Sequence, residues 1–200
     1  MQKSCCFDKQ EYLFEVKESK FFVYSFYVEN EEQIALYLSL IKQKENKAKH
    51  IVYAYRLLNN QTKFFESTEP KSSSGKKIRD VIFTHNLFNI LIIIARYKSN
   101  AQLGLNLLTR SYYNAASLVV TNKNICDLKL ENIYILEFDL INLNKYLETL
   151  KYHKENIYNK EILEKTAKLV VSLNNSYDYF KNKAKVIFYK SNILRLKIDK

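Results

Sequence analysis

The sequence predicts an α+β fold with two domains, and two observations lead to this class. Between residues 21 and 120, apolar stretches typical of buried strands alternate with stretches of helical spacing. After a polar segment at 121–129 the pattern starts again, in the order strand, helix, strand, strand, helix, strand. That order is typical of the ferredoxin-like fold. We therefore predict one domain at 1–124 and a ferredoxin-like domain at 125–200.

Each element of the first domain is predicted from a local pattern. Residues 21–28 are almost wholly apolar or aromatic, which predicts a strand buried on both faces. Asn30, with Gln33 three positions later, is typical of a helix start, and apolar residues follow at helical spacing as far as Ile41. The next predicted elements are a strand at 51–58, a loop at 64–74, a helix at 75–84, a strand at 88–97 and a helix at 103–120.

The second domain shows clear alternation of apolar residues between Tyr134 and Leu140, which predicts a strand. Asn142 precedes an apolar stripe at helical spacing and is the expected start of a helix. The elements predicted after residue 142 are a helix at 143–150, strands at 157–163 and 166–173, a short helix at 176–183 and a strand at 184–190.

Composition indicates a soluble cytoplasmic protein without a bound metal or cofactor. Hydrophobic residues make up 47% of the chain, which is ordinary for a folded protein. The longest apolar run, around 90–95, is too short to cross a bilayer, and the N-terminus lacks the apolar core of a signal peptide. Cys5, Cys6 and Cys126 show no Cys-x-x-Cys spacing, and the three histidines stand far apart, so we expect reduced thiols and no metal site.

The charge of the chain predicts an anionic partner such as nucleic acid or the ribosome. The formal net charge is +11, and no acidic residue occurs between Asp80 and Asp127, whereas Arg96 and Arg110 do. Lys far outnumbers Arg, however, although Arg is the better bidentate ligand of phosphate. The richness in Lys, Asn, Ile and Tyr is also what an AT-rich genome imposes. A functional basic face and a genome bias therefore both remain open.

The end of the strand at 88–97 is the first candidate site. Its last residues are Arg96 and Tyr97, and the helix that follows carries Arg110. Because phosphates often bind where a strand end meets a helix start, we expect Arg96 to contact a phosphate and Tyr97 to stack on a base or line a cleft. The alternative is structural: Arg96 bonds loop carbonyls and Tyr97 packs on the next helix. Arg110 needs a partner, either a ligand anion or Glu69.

Further cations are expected to contribute to the same binding. Arg56 lies near the end of its strand, and Lys20, Lys76 and Lys77 would add electrostatic attraction. The run at 71–77 lacks the Gly-x-x-x-x-Gly-Lys-[Ser/Thr] pattern, which excludes a nucleotide-hydrolysing loop of that kind. No set of nucleophile, base and orienting group is visible either, so we expect no catalytic residues.

Four segments in order resemble the Impact/YigZ family across nearly the whole chain. The residues at 14–21 are similar to its Lys-x-Ser-[Lys/Arg]-Phe strand, and those at 50–56 to its His-x-x-Tyr-Ala-Tyr-Arg strand. Glu69-Pro70 and Gly75 fall where the family has Asp-Gly-Glu-Pro-Ser-Gly-Thr-Ala-Gly. The residues at 96–112 resemble Arg-Tyr-Phe-Gly-Gly-x-x-Leu-Gly-x-Gly-Gly-Leu-x-Arg-Ala-Tyr. The chain is thus identified as a divergent member of this family.

The divergence consists mainly of lost glycines. Ser99, Asn100, Asn106 and Leu107 stand where the family has glycine, and the residues at 71–74 replace Ser-Gly-Thr-Ala. Glycine permits positive φ or close approach of a ligand to the backbone, and Leu does neither cheaply. We therefore do not expect a tight backbone cradle for phosphate, although the arginine side chains remain.

The resemblance implies a fold and a range of functions. The N-terminal domain is expected to be like the second domain of a small-subunit ribosomal protein and the fourth domain of elongation factor G, with helices on one face of its sheet. The implied function is a non-catalytic protein that binds RNA, the ribosome or a translation factor and regulates translation. Two alternatives are a protein-interaction module that docks a regulator of translation, and an enzyme acting on a phosphorylated small molecule.

Overall fold

A computed structural model describes residues 2–5, 7–98, 102–120 and 125–197 of the chain. Its class is α+β, as predicted, and the chain divides into two compact units, one formed mainly by residues up to Leu128 and the other by Lys129–Leu194. The predicted boundary segment at 121–129 begins with residues 121–124, which lie outside the described residues. Within the described parts of the chain, no helix is long and apolar enough to span a membrane.

The first unit is built on a five-stranded antiparallel sheet, flanked by helices. The strands are β2 (Lys9–Val16), β3 (Ser19–Tyr27), β4 (His50–Arg56), β5 (Thr62–Phe65) and β6 (Ile90–Tyr97), and the helices are α1 (Glu31–Lys44), α2 (Gly75–Thr84) and α3 (Leu105–Ser117). The order across the sheet is β2-β3-β6-β4-β5. Outside this sheet, β1 (Lys3–Cys5) pairs with the start of β7 (Ile125–Asp139).

Helices cover both faces of this sheet. Alternate residues of β6 point to opposite faces, so that Ile92 packs in the same core as α2 and α3, whereas Ile93 packs against Ile34 and Ile41 of α1. The expectation of helices on one face only is therefore wrong. The physical reason is visible in β6 itself, since a strand that is apolar on both sides must be covered on both sides.

The predicted helices agree well with the structure, while three strands, β1, β2 and β5, were missed. The Asn30 side chain accepts a hydrogen bond of 2.9 Å from the Gln33 N–H at the start of α1, and α2 has the predicted bounds. The predicted loop at 64–74 in fact begins inside β5, and β2 was not predicted. All four residues of β5 are exposed, and β2 alternates only between exposed and half-buried residues, so neither carries the pattern of a buried strand.

The second unit is a ferredoxin-like sheet with two helices. It consists of the remainder of β7, α4 (Leu143–Tyr152), β8 (Ile157–Ile162), β9 (Thr166–Ser172), α5 (Tyr177–Phe180) and β10 (Lys185–Lys197). β9 lies between β7 and β8, and β10 pairs with β7. This split β-α-β arrangement agrees with the element order read from the sequence. Leu136, Leu150, Leu169 and Phe180 form the centre of its core.

A buried carboxylate fixes the loop before α5. Glu155 accepts hydrogen bonds from the backbone N–H groups of Asn174, Asn175 and Ser176 and from the hydroxyls of Ser172 and Ser176. Burial by itself raises the pKa of Glu155, but these bonds to the charged form outweigh it, and the pKa lies below its usual value. The negative charge is thus held by hydrogen bonds.

Candidate functional site

The predicted contact residues lie at opposite ends of the N-terminal sheet. In the antiparallel pair of β4 and β6, His50 stands opposite Arg96 at one end and Arg56 stands opposite Ile90 at the other. The intervening strand residues separate these ends by roughly 20 Å at the usual rise per residue. Arg56 and Arg96 therefore cannot contact one small ligand together.

At the first end Arg96 forms a buried ion pair. Its Nη1 lies 2.7 Å from Oε1 of Glu69, and both side chains are only 4% exposed. Tyr112 donates a second hydrogen bond of 2.7 Å to the same carboxylate oxygen, and Nε2 of His50 lies 3.7 Å from it. Glu69 is thus the partner of Arg96. It is not the partner of Arg110, for which the sequence left either a ligand anion or Glu69 open.

The hydrogen bonding of Arg96 is incomplete. The guanidinium donates a hydrogen bond to Glu69 and also interacts with the Tyr112 hydroxyl, whereas its buried Nε–H has no acceptor among the described residues. Removing an ion pair from water is costly, and only good geometry and further hydrogen bonds repay that cost. Tyr112 supplies such a bond to Glu69, whereas the Nε–H of Arg96 has none among the described residues.

His50 is held as a neutral ring beside this pair. Its Nδ1 lies 3.0 Å from the Thr68 hydroxyl. Burial is the largest influence and lowers the pKa of His50; Glu69 raises it, while Arg96 and the nearby lysines lower it further. Because the net effect is a pKa below its usual value, His50 adds no charge to the site near neutral pH.

These residues line a pocket of about 400 Å³, which we call the Arg96 pocket. Its polar lining is formed by Lys49, His50, Thr68, Glu69, Arg96, Lys98 and Gln102. Lys49 and Lys98 are exposed, so the ammonium groups stand at the rim and the ion pair at the base. Neither lysine was singled out from the sequence as a contact, because the pocket forms only when β4, β6 and the loop after β5 come together.

Tyr97 faces away from this pocket. It follows Arg96 in β6 and therefore points to the other face of the sheet. Its hydroxyl donates a hydrogen bond of 2.8 Å to Glu45 at the end of α1, and Tyr24 donates to the same carboxylate. That hydrogen bond to Glu45, together with burial, raises the pKa of Tyr97. The structure therefore ties Tyr97 to α1.

Arg110 and Lys20 lie on the surface. Arg110 is exposed on α3 and makes no ion pair or hydrogen bond with any described residue. Lys20 pairs with Glu15 across the β2–β3 hairpin at 3.5 Å. Ser99 and Asn100, which replace family glycines, lie outside the described residues. The roles of Arg110 and Lys20 in binding stay predictions.

At the other end of the sheet Arg56 packs against aromatic rings. Its guanidinium carbon lies 3.7 Å from the centre of the Phe88 ring and 4.5 Å from that of Phe83, and Nη2 donates to Asn60 at 3.0 Å. Phe88 is buried, but Phe83 is 45% exposed. A half-buried cation and an exposed ring therefore lie side by side.

The exposed side of α2 continues this pattern. Lys76, Arg79 and Phe83 lie on one side of the helix at helical spacing, and the Arg79 guanidinium lies 5.0 Å from the centre of the Phe64 ring on β5. Phe64 is 37% exposed. The surface formed by Arg56, Phe64, Lys76, Arg79 and Phe83 is called the α2–β5 face below. Phe64 was missed from the sequence because it was assigned to the predicted loop at 64–74, and Arg79 and Phe83 were not singled out although their helix was predicted.

The start of α2 is closed by the chain itself. The Glu66 carboxylate accepts hydrogen bonds from the N–H groups of Ser72 at 2.7 Å and Lys76 at 3.4 Å, so a negative charge already occupies the positive end of the helix. Gly75 packs so closely on β5 that a Cβ there would lie 2.4 Å from the Phe65 carbonyl oxygen. Lys77 pairs with Asp80 at 3.3 Å. This helix start is not an open phosphate site.

The Impact N-terminal domain model matches residues 17–120, which include the Arg96 pocket and the α2–β5 face. The chain belongs to this family. No curated protein gave a match. The family assignment therefore rests on the segment that forms the N-terminal sheet and its helices.

Solved structures match this chain at low sequence identity. A hypothetical protein is 15% identical with a TM-score of 0.60, and the match covers 95% of this chain and 98% of that one. Yih1, a two-domain translational regulator, is 21% identical with a TM-score of 0.33, over 59% of this chain and 46% of its own. A protein from Thermus thermophilus is 10% identical with a TM-score of 0.37, over 97% of this chain and 29% of its own. The first of these shows that the two-unit fold is shared.

Proposed function

We propose that this protein regulates translation by binding single-stranded RNA on the α2–β5 face, without covalent chemistry on a substrate. Membership of the Impact N-terminal domain family supports the role in translation. The observation that carries RNA binding is the pairing of exposed phenyl rings with guanidinium groups on this face. It gives a physical basis for the sequence-based prediction that Arg56 and Lys76 are contacts.

The exposed rings provide places for bases to stack. Phe64 and Phe83 each have an accessible ring with an arginine packed beside it. Stacking of a base on an aromatic side chain contributes roughly 1–3 kcal/mol, and every base has a face that can stack. Binding on this face is therefore expected to depend little on sequence.

The cations of the face provide attraction for the phosphate backbone. The cations of the face are Arg56, Lys76 and Arg79, and the nearby acidic residues are Asp80 and Glu66. Asp80 pairs with Lys77 and Arg79, and the Glu66 carboxylate is already engaged by backbone N–H groups. Cations that neutralise phosphates release counterions, so the affinity should fall steeply as salt is added. Long, flexible lysine side chains suffice for this attraction because it needs no fixed geometry.

The direct test is binding of a fluorescently labelled single-stranded RNA, measured by anisotropy at several salt concentrations. Replacing both rings (Phe64→Ala with Phe83→Ala) is expected to weaken binding by roughly 30- to 20,000-fold, since two stacking positions are removed. The matched control is Tyr152→Ala, which removes a tyrosine that is 82% exposed in the second unit. Equal affinity of the double variant and the control would refute the proposed face.

A charge variant separates stacking from electrostatic attraction. Arg79→Glu should reduce the slope of log affinity against log salt by about one for each phosphate that the variant no longer neutralises. Lys151→Glu, which changes an exposed lysine of α4, should leave that slope unchanged. A slope insensitive to both substitutions would show that phosphates are not bound here.

A pull-down from the source cell, with and without nuclease, distinguishes RNA from protein as the partner. RNA that is captured by the native chain but not by the Phe64→Ala/Phe83→Ala variant supports the proposal. The opposite result is a protein that the native chain still captures after nuclease treatment and that the variant does not capture. That result would assign the face to protein docking and would overturn RNA binding.

A further inference from the structure

We infer that the Arg96 pocket is a binding site for a phosphate monoester. It lies at the opposite end of the sheet from the α2–β5 face and shares no residue with it, so this inference goes beyond the RNA-binding proposal. The ligand class follows from three features of the pocket, namely its charge, its hydrogen-bond donors and its size.

The charge of the pocket is positive after its internal pairing is taken into account. Glu69 is already engaged by Arg96 and Tyr112, and the pKa of His50 is lowered, so the two rim lysines, Lys49 and Lys98, are left in excess. A phosphate monoester carries close to two negative charges at neutral pH, because its second pKa is about 6. The excess charge of the pocket matches that of this group.

The donors of the pocket suit an oxyanion. Arg96 is 4% exposed, lines the pocket and keeps a buried Nε–H without an acceptor in the part of the chain that the structure describes, and donors buried in this way are rare in folded proteins. The two lysine ammonium groups add further donors. A guanidinium presents several N–H groups in a plane and matches phosphate oxygens, and here Glu69 holds that plane in position.

The size and the remaining lining indicate that more than the phosphate is bound. A volume of about 400 Å³ lies within the usual range of small-molecule sites. Pro70, Leu103 and Leu108 supply apolar lining beside the polar residues. A sugar or similar organic group would rest there, whether it belongs to a free phosphorylated metabolite or to the terminal nucleotide of an RNA.

Ribose 5-phosphate is the probe for the test, with ribose as its uncharged control, in the full-length protein. Ribose 5-phosphate should raise the melting temperature and ribose should not, since only a ligand of the folded state stabilises it. The double variant Lys49→Ala/Lys98→Ala should raise the dissociation constant, measured by calorimetry, by at least about tenfold for each lysine. Lys151→Ala with Lys160→Ala, which removes two exposed lysines of the second unit, is the matched control.

An RNA oligonucleotide with a 5′-phosphate, compared with the same oligonucleotide bearing a 5′-hydroxyl, distinguishes the two sources of the phosphate. A preference for the 5′-phosphate that disappears in Lys49→Ala/Lys98→Ala supports the pocket and assigns it to RNA ends. Binding of ribose 5-phosphate that disappears in that variant supports the pocket and assigns it to a free metabolite. If neither phosphate ligand shows binding that depends on the two lysines, the inference is overturned.

The RNA-face variant keeps the two proposals separate. Phe64→Ala/Phe83→Ala should leave ribose 5-phosphate binding unchanged, because those rings lie outside the pocket. Arg96 itself is not substituted in this test, since its loss would leave Glu69 buried without a cation and would unfold part of the site. Lysine substitutions at the rim avoid that effect.

Discussion

The two ends of the N-terminal sheet hold an arginine in opposite ways. At one end Arg96 is buried and its charge is balanced by the Glu69 carboxylate. At the other end Arg56 lies between Phe83 and Phe88, and no carboxylate contacts it among the described residues. Both arginines lie at the ends of adjacent strands, so the strand position alone does not decide how the charge is used.

The difference comes from the segments that cover each end. The loop after β5 brings Glu69 onto Arg96 and closes a pocket, whereas α2 brings the open ring of Phe83 beside Arg56. A buried cation needs a carboxylate and hydrogen bonds, but a partly exposed cation is stabilised by the face of a ring and by water. The first end therefore suits a small anion and the second an extended, flexible partner.

The largest expected effect is the loss of the buried pair. Either Arg96→Ala or Glu69→Ala should lower the free energy of unfolding by about 3–5 kcal/mol, because the remaining charge stays buried without its partner. Urea denaturation measures this loss, and the double variant completes the cycle that isolates the coupling between the two side chains. A loss no larger than that of a typical surface substitution would show that the pair is not buried in solution.

The helices next to the two ends should differ in their need for glycine. Gly75→Ala at the start of α2 should cost about 1–3 kcal/mol, because its Cβ would overlap the Phe65 carbonyl oxygen and force the backbone to move. Gly104→Ala at the start of α3 meets no atom within 4 Å and sits at an ordinary negative φ. The N-cap preference for Gly over Ala is therefore offset by the smaller freedom of the unfolded chain, and stability should change by less than about 0.5 kcal/mol. Thermal unfolding of the two variants tests the contrast, and equal losses would contradict it.

A smaller effect is expected for the arginine at the open end. Arg56→Ala removes two contacts with rings and one hydrogen bond, so a loss of about 1–2 kcal/mol is expected, well below that for Arg96→Ala. Urea denaturation of the two alanine variants under the same conditions makes the comparison. If Arg56→Ala proved the more costly, the assignment of buried and exposed roles would be reversed.

The smallest expected effect is a dependence of stability on pH at the pocket end. The folded pKa of His50 is lowered, chiefly by burial, so the unfolded chain takes up this proton more readily. The stability that the neutral ring contributes is therefore complete above the unfolded value of about 6.5 and is lost as the pH falls towards the folded pKa. Between the folded and the unfolded pKa, the urea midpoint of the native chain should fall as the pH is lowered, and that of His50→Gln should fall less. Equal slopes of urea midpoint against pH for the two proteins would contradict the prediction.

The parts of the fold that the sequence predicted are those with strong local patterns. Three local patterns each predicted an element: the apolar run of β6, the Asn30 start of α1 and the apolar stripe of α2. The strand β5 was missed because all of its residues are exposed, and β2 was missed because its inner residues are only half-buried. A tight turn with positive φ at Lys17 and Glu18 joins β2 to β3, although neither residue is a usual signal for it.

The sequence by itself determined the fold class, the family and a set of cations that includes Arg56 and Arg96. Only the tertiary structure decided what each cation does, since Glu69 and Phe83 reach their arginines through loops and packing that local patterns do not encode. The same applies to Tyr97, which the pleat of β6 turns towards Glu45 and away from Arg96. Periodicity specifies which side of an element is buried, whereas the partner of a buried charge depends on which distant segment covers it.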